Sequence, residues 1–201
     1  MILVYAIIIL IILALIFRRD LSALGRFQFR GGWKLVVAVL GLFVLQAVFV
    51  IFVPGQAAGQ MILLIVSQLA LIFLFLLNHH LPGAKLFALG IFLNTVVMIA
   101  NGGWMPITPE RYEWVHPERV SETFAKPPSS KNIILPYKES TLWVLSDIIP
   151  VTLPWRRNAM SIGDLLLIAG AAQFIFWGSQ KREENIIEVE GTSPSEGGIS
   201  T

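Results

Sequence analysis

Five long apolar runs separated by polar connectors dominate this sequence and restrict the folds open to it. The runs cover residues 2–17, 35–53, 61–77, 86–100 and 162–177. A transmembrane helix needs about 20 apolar residues, and shorter runs can cross when flanking residues snorkel or the helix tilts. Only 14% of the residues are charged, against about 25% in a soluble domain. We therefore predict an all-α membrane protein with five transmembrane helices.

The positions of the basic residues predict the orientation of these helices. Lysine and arginine accumulate in short cytoplasmic loops. The connector after the first run carries five of them, whereas residues 54–60 carry none. This places the N-terminus outside and the C-terminus inside. The first run has no basic residue before it and no small-residue cleavage site, so we interpret it as a retained anchor.

We expect one membrane domain, residues 1–178, followed by a disordered cytoplasmic tail, residues 179–201. The tail is acidic and rich in glycine and serine, so it cannot bury enough apolar surface to order itself. The long segment between the last two runs, residues 101–161, would lie on the extracytoplasmic side. It carries seven basic and six acidic residues.

The segment 101–161 is predicted to be partly helical. Residues 108–111 and 116–119 each place proline and an acid after a residue that can end or cap a helix, which is typical of helix starts. The apolar stretch 142–149 is expected to dip into the interface or pack on the bundle. Four tryptophans fall at predicted membrane interfaces, where we expect them to act as belt residues. They are Trp104, Trp143, Trp155 and Trp177.

Six residues form the candidate site that the sequence suggests. They are Asn101, Gly102, Gly103, Asp147, Ser161 and Asp164. The first three end the fourth run, where two adjacent glycines permit backbone angles closed to other residues. The last two open the fifth run, and Asp147 interrupts an apolar stretch. We expect these groups to converge as a polar pocket beneath the corner that the glycines form.

Two interpretations of Ser161 and Asp164 remain open. Their spacing is that of a capping box, in which both side chains satisfy free amides at a helix start. Alternatively, Asp164 lies below the membrane surface and faces the bundle, because ionisable groups at that depth usually face partners or water. The two interpretations are compatible.

The remaining polar residues point to little chemistry. Asn94 lies in the middle of the fourth run, where such a side chain commonly hydrogen-bonds to a neighbouring helix. No run contains a basic residue, which weakens the case for an ion channel. The chain has no cysteine, and nothing completes a ligand set around His79-His80 or His116. We therefore predict no metal site and no cofactor.

The motifs Asn101-Gly-Gly-x-Met-Pro106, Asp147-Ile-Ile-Pro150 and Ser161-x-Gly-Asp164 resemble those of a family of small bacterial integral membrane proteins. That family is known only as a domain of unknown function. The resemblance implies a plasma-membrane protein and places weight on the candidate site, but it implies no activity. The position after the glycine pair is often basic in that family, and here it is Trp104, which disfavours anion binding there.

Three functions follow as expectations. The first is a non-catalytic or accessory subunit of a membrane complex, with the bilayer and other membrane subunits as partners. The second is a transporter or binding protein for a small solute or a lipid. The third is a membrane-surface hydrolase using Asp147 and Asp164 as an acid pair. The first is favoured, so the chain is expected not to be an enzyme. Without aromatics interleaved among basic residues on a soluble face, nucleic acid is not an expected partner.

Overall fold

The computed structural model describes residues 2–53, 58–120, 122–127 and 130–179. Most of the predicted tail therefore lies outside the described residues. Within them the helices are α1 (Ile2–Ile16), α2 (Gly32–Phe52), α3 (Ala58–Leu77), α4 (Ala84–Ala100), α5 (Pro109–Val115) and α6 (Ile162–Gly178). The strands are β1 (Met105–Ile107), β2 (Asn132–Ile134), β3 (Ile149–Leu153) and β4 (Arg156–Met160).

The five long helices pack side by side in the order α1, α6, α4, α3, α2. Each corresponds to one apolar run, so the prediction of a mostly helical, apolar chain is confirmed. Among the described residues α2 and α3 are long and apolar enough to cross a membrane, and α1, α4 and α6 are shorter apolar helices. We call the end of the bundle that carries residues 101–161 the loop end.

Glycines bring α4 and α6 into backbone contact. A Cβ on Gly90 would lie 2.6 Å from the carbonyl oxygen of Gly163. One end of the contact is marked by Gly83 and Gly170, where an added Cβ on Gly83 would overlap the Gly170 carbonyl. Gly83, directly before α4, and Gly90 are seven residues apart, as are Gly163 and Gly170 in α6, so the two glycines of each pair lie on one face. This close packing holds the start of α6 against Asn94 of α4.

Residues 101–161, the connecting segment, contain strands as well as a helix. β1 pairs with β2 in parallel, and β3 and β4 form an antiparallel hairpin. The predicted helix at residues 108–111 is confirmed as α5, with the Thr108 hydroxyl accepting from the Arg111 amide at 3.2 Å. The second predicted helix, at 116–119, is wrong. His116 instead ends α5, and the next residues form a turn.

The interface position predicted for Trp104 is also wrong. Its side chain is 1% exposed and packs in a core with Val97, Met98 and Met105. Gly102 and Gly103 have φ angles of 71° and 91°, which turn the chain back over the end of α4. The indole therefore points into the protein rather than along the membrane surface.

Asn101 fastens the connecting segment to α4. Its side-chain amide donates to the carbonyl oxygens of Val97 and Thr141, both at 2.8 Å, and its oxygen accepts from the Thr141 amide at 2.9 Å. Because the side chain is buried, these bonds replace the water that its polar atoms would otherwise require.

Asn101→Ala is expected to loosen the connecting segment while the helices remain packed. The substitution leaves the Thr141 amide and two carbonyl groups without partners, at a cost of about 1–3 kcal/mol for each buried group left unpaired. Limited proteolysis should then cut residues 120–145 faster than in the wild type. Thr141→Ala is the control, because only the backbone of Thr141 takes part in these bonds. Equal cleavage of all three proteins would contradict this role for Asn101.

Candidate functional site

A cavity of about 600 Å³ lies between the helices and the connecting segment. Its volume falls within the range of small-molecule sites, about 300–1,000 Å³. Its buried or partly buried polar residues at the loop end are Asn94, Lys131, Asn132, Asp147, Asn158 and Asp164. Further along the helices, away from the loop end, it is lined mainly by apolar side chains, among them Phe43, Leu71, Ile91 and Leu167, together with the amides of Gln46 and Gln68. The cavity is therefore polar at one end and largely apolar at the other.

The capping box at the start of α6 also forms part of this cavity. The Ser161 hydroxyl accepts from the Asp164 amide at 3.1 Å, and one Asp164 carboxylate oxygen accepts from the Ser161 amide at 3.3 Å. The other carboxylate oxygen accepts from the Asn94 side chain at 3.0 Å. The Ser161 hydroxyl donates to the Asn94 oxygen at 2.8 Å. Asp164 thus caps its own helix and faces the bundle at once.

Asp147 is a buried acid of the cavity whose hydrogen bonds to the described residues are incomplete. Its side chain is 4% exposed, and its Oδ2 accepts from the Asn132 amide at 2.7 Å. Its Oδ1 has no hydrogen-bond partner among the described residues. Asn158 on β4 is 7% exposed, and its Nδ2 likewise lacks a partner in the described part of the chain. Buried polar atoms without partners are rare in native proteins, so both atoms are candidates for ligand contacts.

Lys131 supplies the positive charge at this end of the cavity. It is partly buried and feels the charges of Asp147 and Asp164. Its ammonium forms no ion pair with any residue that the structure describes. Burial lowers the pKa of Lys131, but the two carboxylates outweigh this and raise it overall. The group therefore stays charged at neutral pH.

The Asp147 carboxyl has a raised pKa. Burial raises it most, Lys131 lowers it, and the nearby Asp164 carboxylate raises it again. The hydrogen bond from Asn132 lowers it by a smaller amount. Without a further partner, the charged form of Asp147 is thus held in an unfavourable environment.

The structure brings together one half of the residues predicted as a site. Asp147 and Asp164 line the same cavity, and Ser161 is hydrogen-bonded beside them. Asn101, Gly102 and Gly103 do not line it. Asn101 fastens the connecting segment, and a Cβ on Gly103 would lie 2.9 Å from the Met61 side chain. These three residues therefore shape the turn after α4 and are not part of the cavity lining.

Four of these polar residues of the cavity, Asn94, Lys131, Asn132 and Asn158, were not predicted as site residues. Lys131 and Asn132 follow a proline-rich stretch that is typical of a linker, and Asn158 lies among arginines on a strand. Asn94 could be recognised from the sequence, because a single asparagine in an apolar run needs a hydrogen-bond partner on another segment. No local pattern marks the other three, since β1–β2 pairing alone places Asn132 opposite Met105.

Comparisons with known proteins agree with an uncharacterised family. Residues 26–176 match the family described as "Family of unknown function (DUF5317)". An "Uncharacterized protein" of Thermotoga maritima is 32% identical over 133 residues, which cover 63% of this chain and 68% of that protein. No solved structure matches the chain. The match extends over most of the bundle and the whole connecting segment, and the chain belongs to the family of unknown function DUF5317.

Proposed function

We propose that the five long helices span a plasma membrane, with the N-terminus and the connecting segment outside and the C-terminus inside. Exposed apolar side chains support this, because soluble monomeric proteins rarely leave large contiguous apolar surfaces uncovered. On α1 they are Val4, Ile7, Ile8, Ile9, Ile11, Ile12, Leu13, Leu15 and Ile16. The Lys/Arg residues of the connector after α1 support the orientation.

We further propose that the protein binds an amphipathic small molecule, of which a membrane lipid is the most accessible. The observation that carries this is a pair of buried atoms, Asp147 Oδ1 and Asn158 Nδ2, in a cavity with a largely apolar far end. Neither atom has a hydrogen-bond partner among the residues that the structure describes. A polar head would satisfy the two atoms, and an apolar chain would lie against Phe43 and Leu71. We therefore favour binding over the role of an accessory subunit.

The geometry favours binding over hydrolysis by an acid pair. Both carboxylate oxygens of Asp164 already accept hydrogen bonds, from Asn94 and from the Ser161 amide. Two carboxylates that work as an acid pair share one proton between them. Of the two acids, only Asp147 has an oxygen without a hydrogen bond from the described residues, and the charge of Lys131 acts on both. Asp164 therefore supports the shape of the site, and Asp147 is available to a ligand.

Filling the cavity should remove the ligand. Ala47 lines the cavity from α2, whereas its neighbour Val48 is 43% exposed on the outer face. We expect wild-type protein extracted in native membrane discs to carry a stoichiometric small molecule, identified by mass spectrometry. Ala47→Trp should lose at least about nine-tenths of it, and Val48→Trp should retain it.

Size-exclusion profiles establish that both variants fold. Equal ligand content in the two tryptophan variants would contradict binding in this cavity, as would a wild-type protein that carries no small molecule. A stoichiometric protein partner in place of a small molecule would instead support the accessory-subunit function.

A further inference from the structure

The polar end of the cavity has an unusual set of unsatisfied groups. Within the described part of the chain, Asp147 Oδ1 is an acceptor without a donor, and Asn158 Nδ2 is a donor without an acceptor. The Lys131 ammonium is a charged donor without an ion-pair partner among the described residues. A ligand that satisfies all three must itself present both donors and acceptors, because a group with acceptors alone would leave Asp147 unpaired and one with donors alone would leave Lys131 and Asn158 unpaired.

The balance of charge narrows the ligand further. Asp147, Asp164 and Lys131 together carry one net negative charge when all are ionised. A positively charged donor beside Asp147 would balance the charge of that carboxylate and give it a charge-assisted hydrogen bond, which is stronger than a neutral one. An anionic acceptor on the same ligand would pair with Lys131. Arg119 and Arg156 also line the cavity and are exposed, so cations extend from Lys131 to its mouth.

The kind of cation follows from the groups around it. A quaternary ammonium has no N–H group and is recognised by the faces of aromatic rings. The polar end of this cavity contains the Tyr112 ring with His116 beside it, whereas a cage for a quaternary ammonium needs several rings around the cation. It also offers the oxygens of Asp147, Asn132 and Asn158, which accept hydrogen bonds from N–H groups. Asp147 Oδ1 therefore suits a primary ammonium, with up to three N–H donors, and does not suit a trimethylated one.

We infer that the cavity binds a phospholipid whose headgroup carries a primary ammonium beside its phosphate, as in an ethanolamine phospholipid. The ammonium donates to Asp147, and the phosphate accepts from Lys131 and Asn158. The apolar far end receives part of an acyl chain. This inference rests on the proposed binding function and adds the chemical class of the ligand.

A methylation series of one lipid tests the inference. The full-length protein is delipidated in detergent and offered equal amounts of ethanolamine, N-methyl, N,N-dimethyl and choline phospholipids with identical acyl chains, together with the glycerol phospholipid. Native mass spectrometry measures the bound fraction of each. We expect affinity to fall stepwise as N–H donors are lost, by at least about tenfold from ethanolamine to choline.

Two substitutions connect that preference to named groups. Asp147→Asn should reduce the ethanolamine-to-choline ratio to near one while lipid is still bound. Lys131→Met should weaken binding of every phospholipid and leave the ratio unchanged. Glu139→Gln, an exposed site outside the cavity, serves as the matched control. Soluble glycerophosphoethanolamine, added as a competitor, should displace the lipid poorly, because it lacks the acyl chain.

The outcomes separate the two levels of the proposal. Equal binding of ethanolamine and choline lipids, or a preference for the glycerol lipid, would overturn the headgroup assignment and leave lipid binding intact. Displacement of the lipid by equimolar glycerophosphoethanolamine would show that the acyl chains add no affinity, and would contradict the assignment of a phospholipid as the ligand. Binding of no lipid at all would overturn the proposed function itself.

Discussion

Gly163→Ala is expected to destabilise the contact between α4 and α6 by about 1–3 kcal/mol. The added Cβ would overlap the Asn94 side-chain oxygen and lie 2.6 Å from the Gly90 carbonyl oxygen. Neither neighbour can move aside easily, because one belongs to helix backbone and the other is held by Ser161 at 2.8 Å. Relief requires that the helices separate, which also displaces Asn94 from Asp164.

Thermal unfolding followed by size-exclusion chromatography in detergent measures this effect. Gly41→Ala is the matched control, since a Cβ at this position of α2 meets nothing within 4 Å. Alanine is the better helix former by about 0.5–1 kcal/mol, so the control should be unchanged or slightly stabilised. A Gly163→Ala protein as stable as the Gly41→Ala protein would show that the glycine contact does not hold the helices together.

Asp147→Asn is expected to change how stability depends on pH. The pKa of Asp147 in the folded protein is raised above the usual value of 3.8. The folded state therefore holds a proton that the unfolded state has already lost. As pH rises from about 3.8 through the folded pKa, the wild type should lose stability relative to the variant, at up to about 1.4 kcal/mol per pH unit.

The comparison is made on delipidated protein between pH 4 and pH 8. The difference in melting temperature between Asp147→Asn and the wild type should grow with pH and then become constant. The other groups whose charge acts on Asp147, namely Lys131, Asp164 and the chain's terminal amino group, are present in both proteins, and so is His116, which also lines the cavity. A difference that does not vary with pH, or one that shrinks, would contradict a buried carboxyl with a raised pKa.

If Asp147→Asn is more stable than the wild type at neutral pH and also loses the preference for ethanolamine over choline lipids, then Asp147 serves ligand binding rather than stability. A carboxylate that destabilises the empty cavity and is hydrogen-bonded by a ligand makes ligand binding more favourable. Residues at functional sites commonly reduce stability in this way. Asn101, which has all its hydrogen bonds within the protein, shows the opposite pattern and belongs to the scaffold.

The helices could be predicted from the sequence because their signal is local. Each apolar run is a continuous stretch, and backbone hydrogen bonds within a helix need no distant partner. The same holds for α5 and for the capping box, where Thr108 and Ser161 reach amides three residues away. The sequence also shows two pairs of glycines with the same spacing of seven residues, Gly83 with Gly90 and Gly163 with Gly170. Their role became clear only from the structure, in which Gly83 lies against Gly170 and Gly90 against Gly163.

The cavity could not be predicted in the same way, because its parts meet only through tertiary structure. Trp104 was expected at the membrane surface and is buried, since two glycine turns reverse the chain above α4. Pairing of β1 with β2 places Asn132 beside Asp147, and Asn158 arrives on a separate hairpin. The local sequence thus decided which segments are helical and how they are capped. Only the packing of distant segments decided that Asp147 is left with a free oxygen while Asp164 is not, because hydrogen-bond satisfaction depends on neighbours that the chain order does not specify.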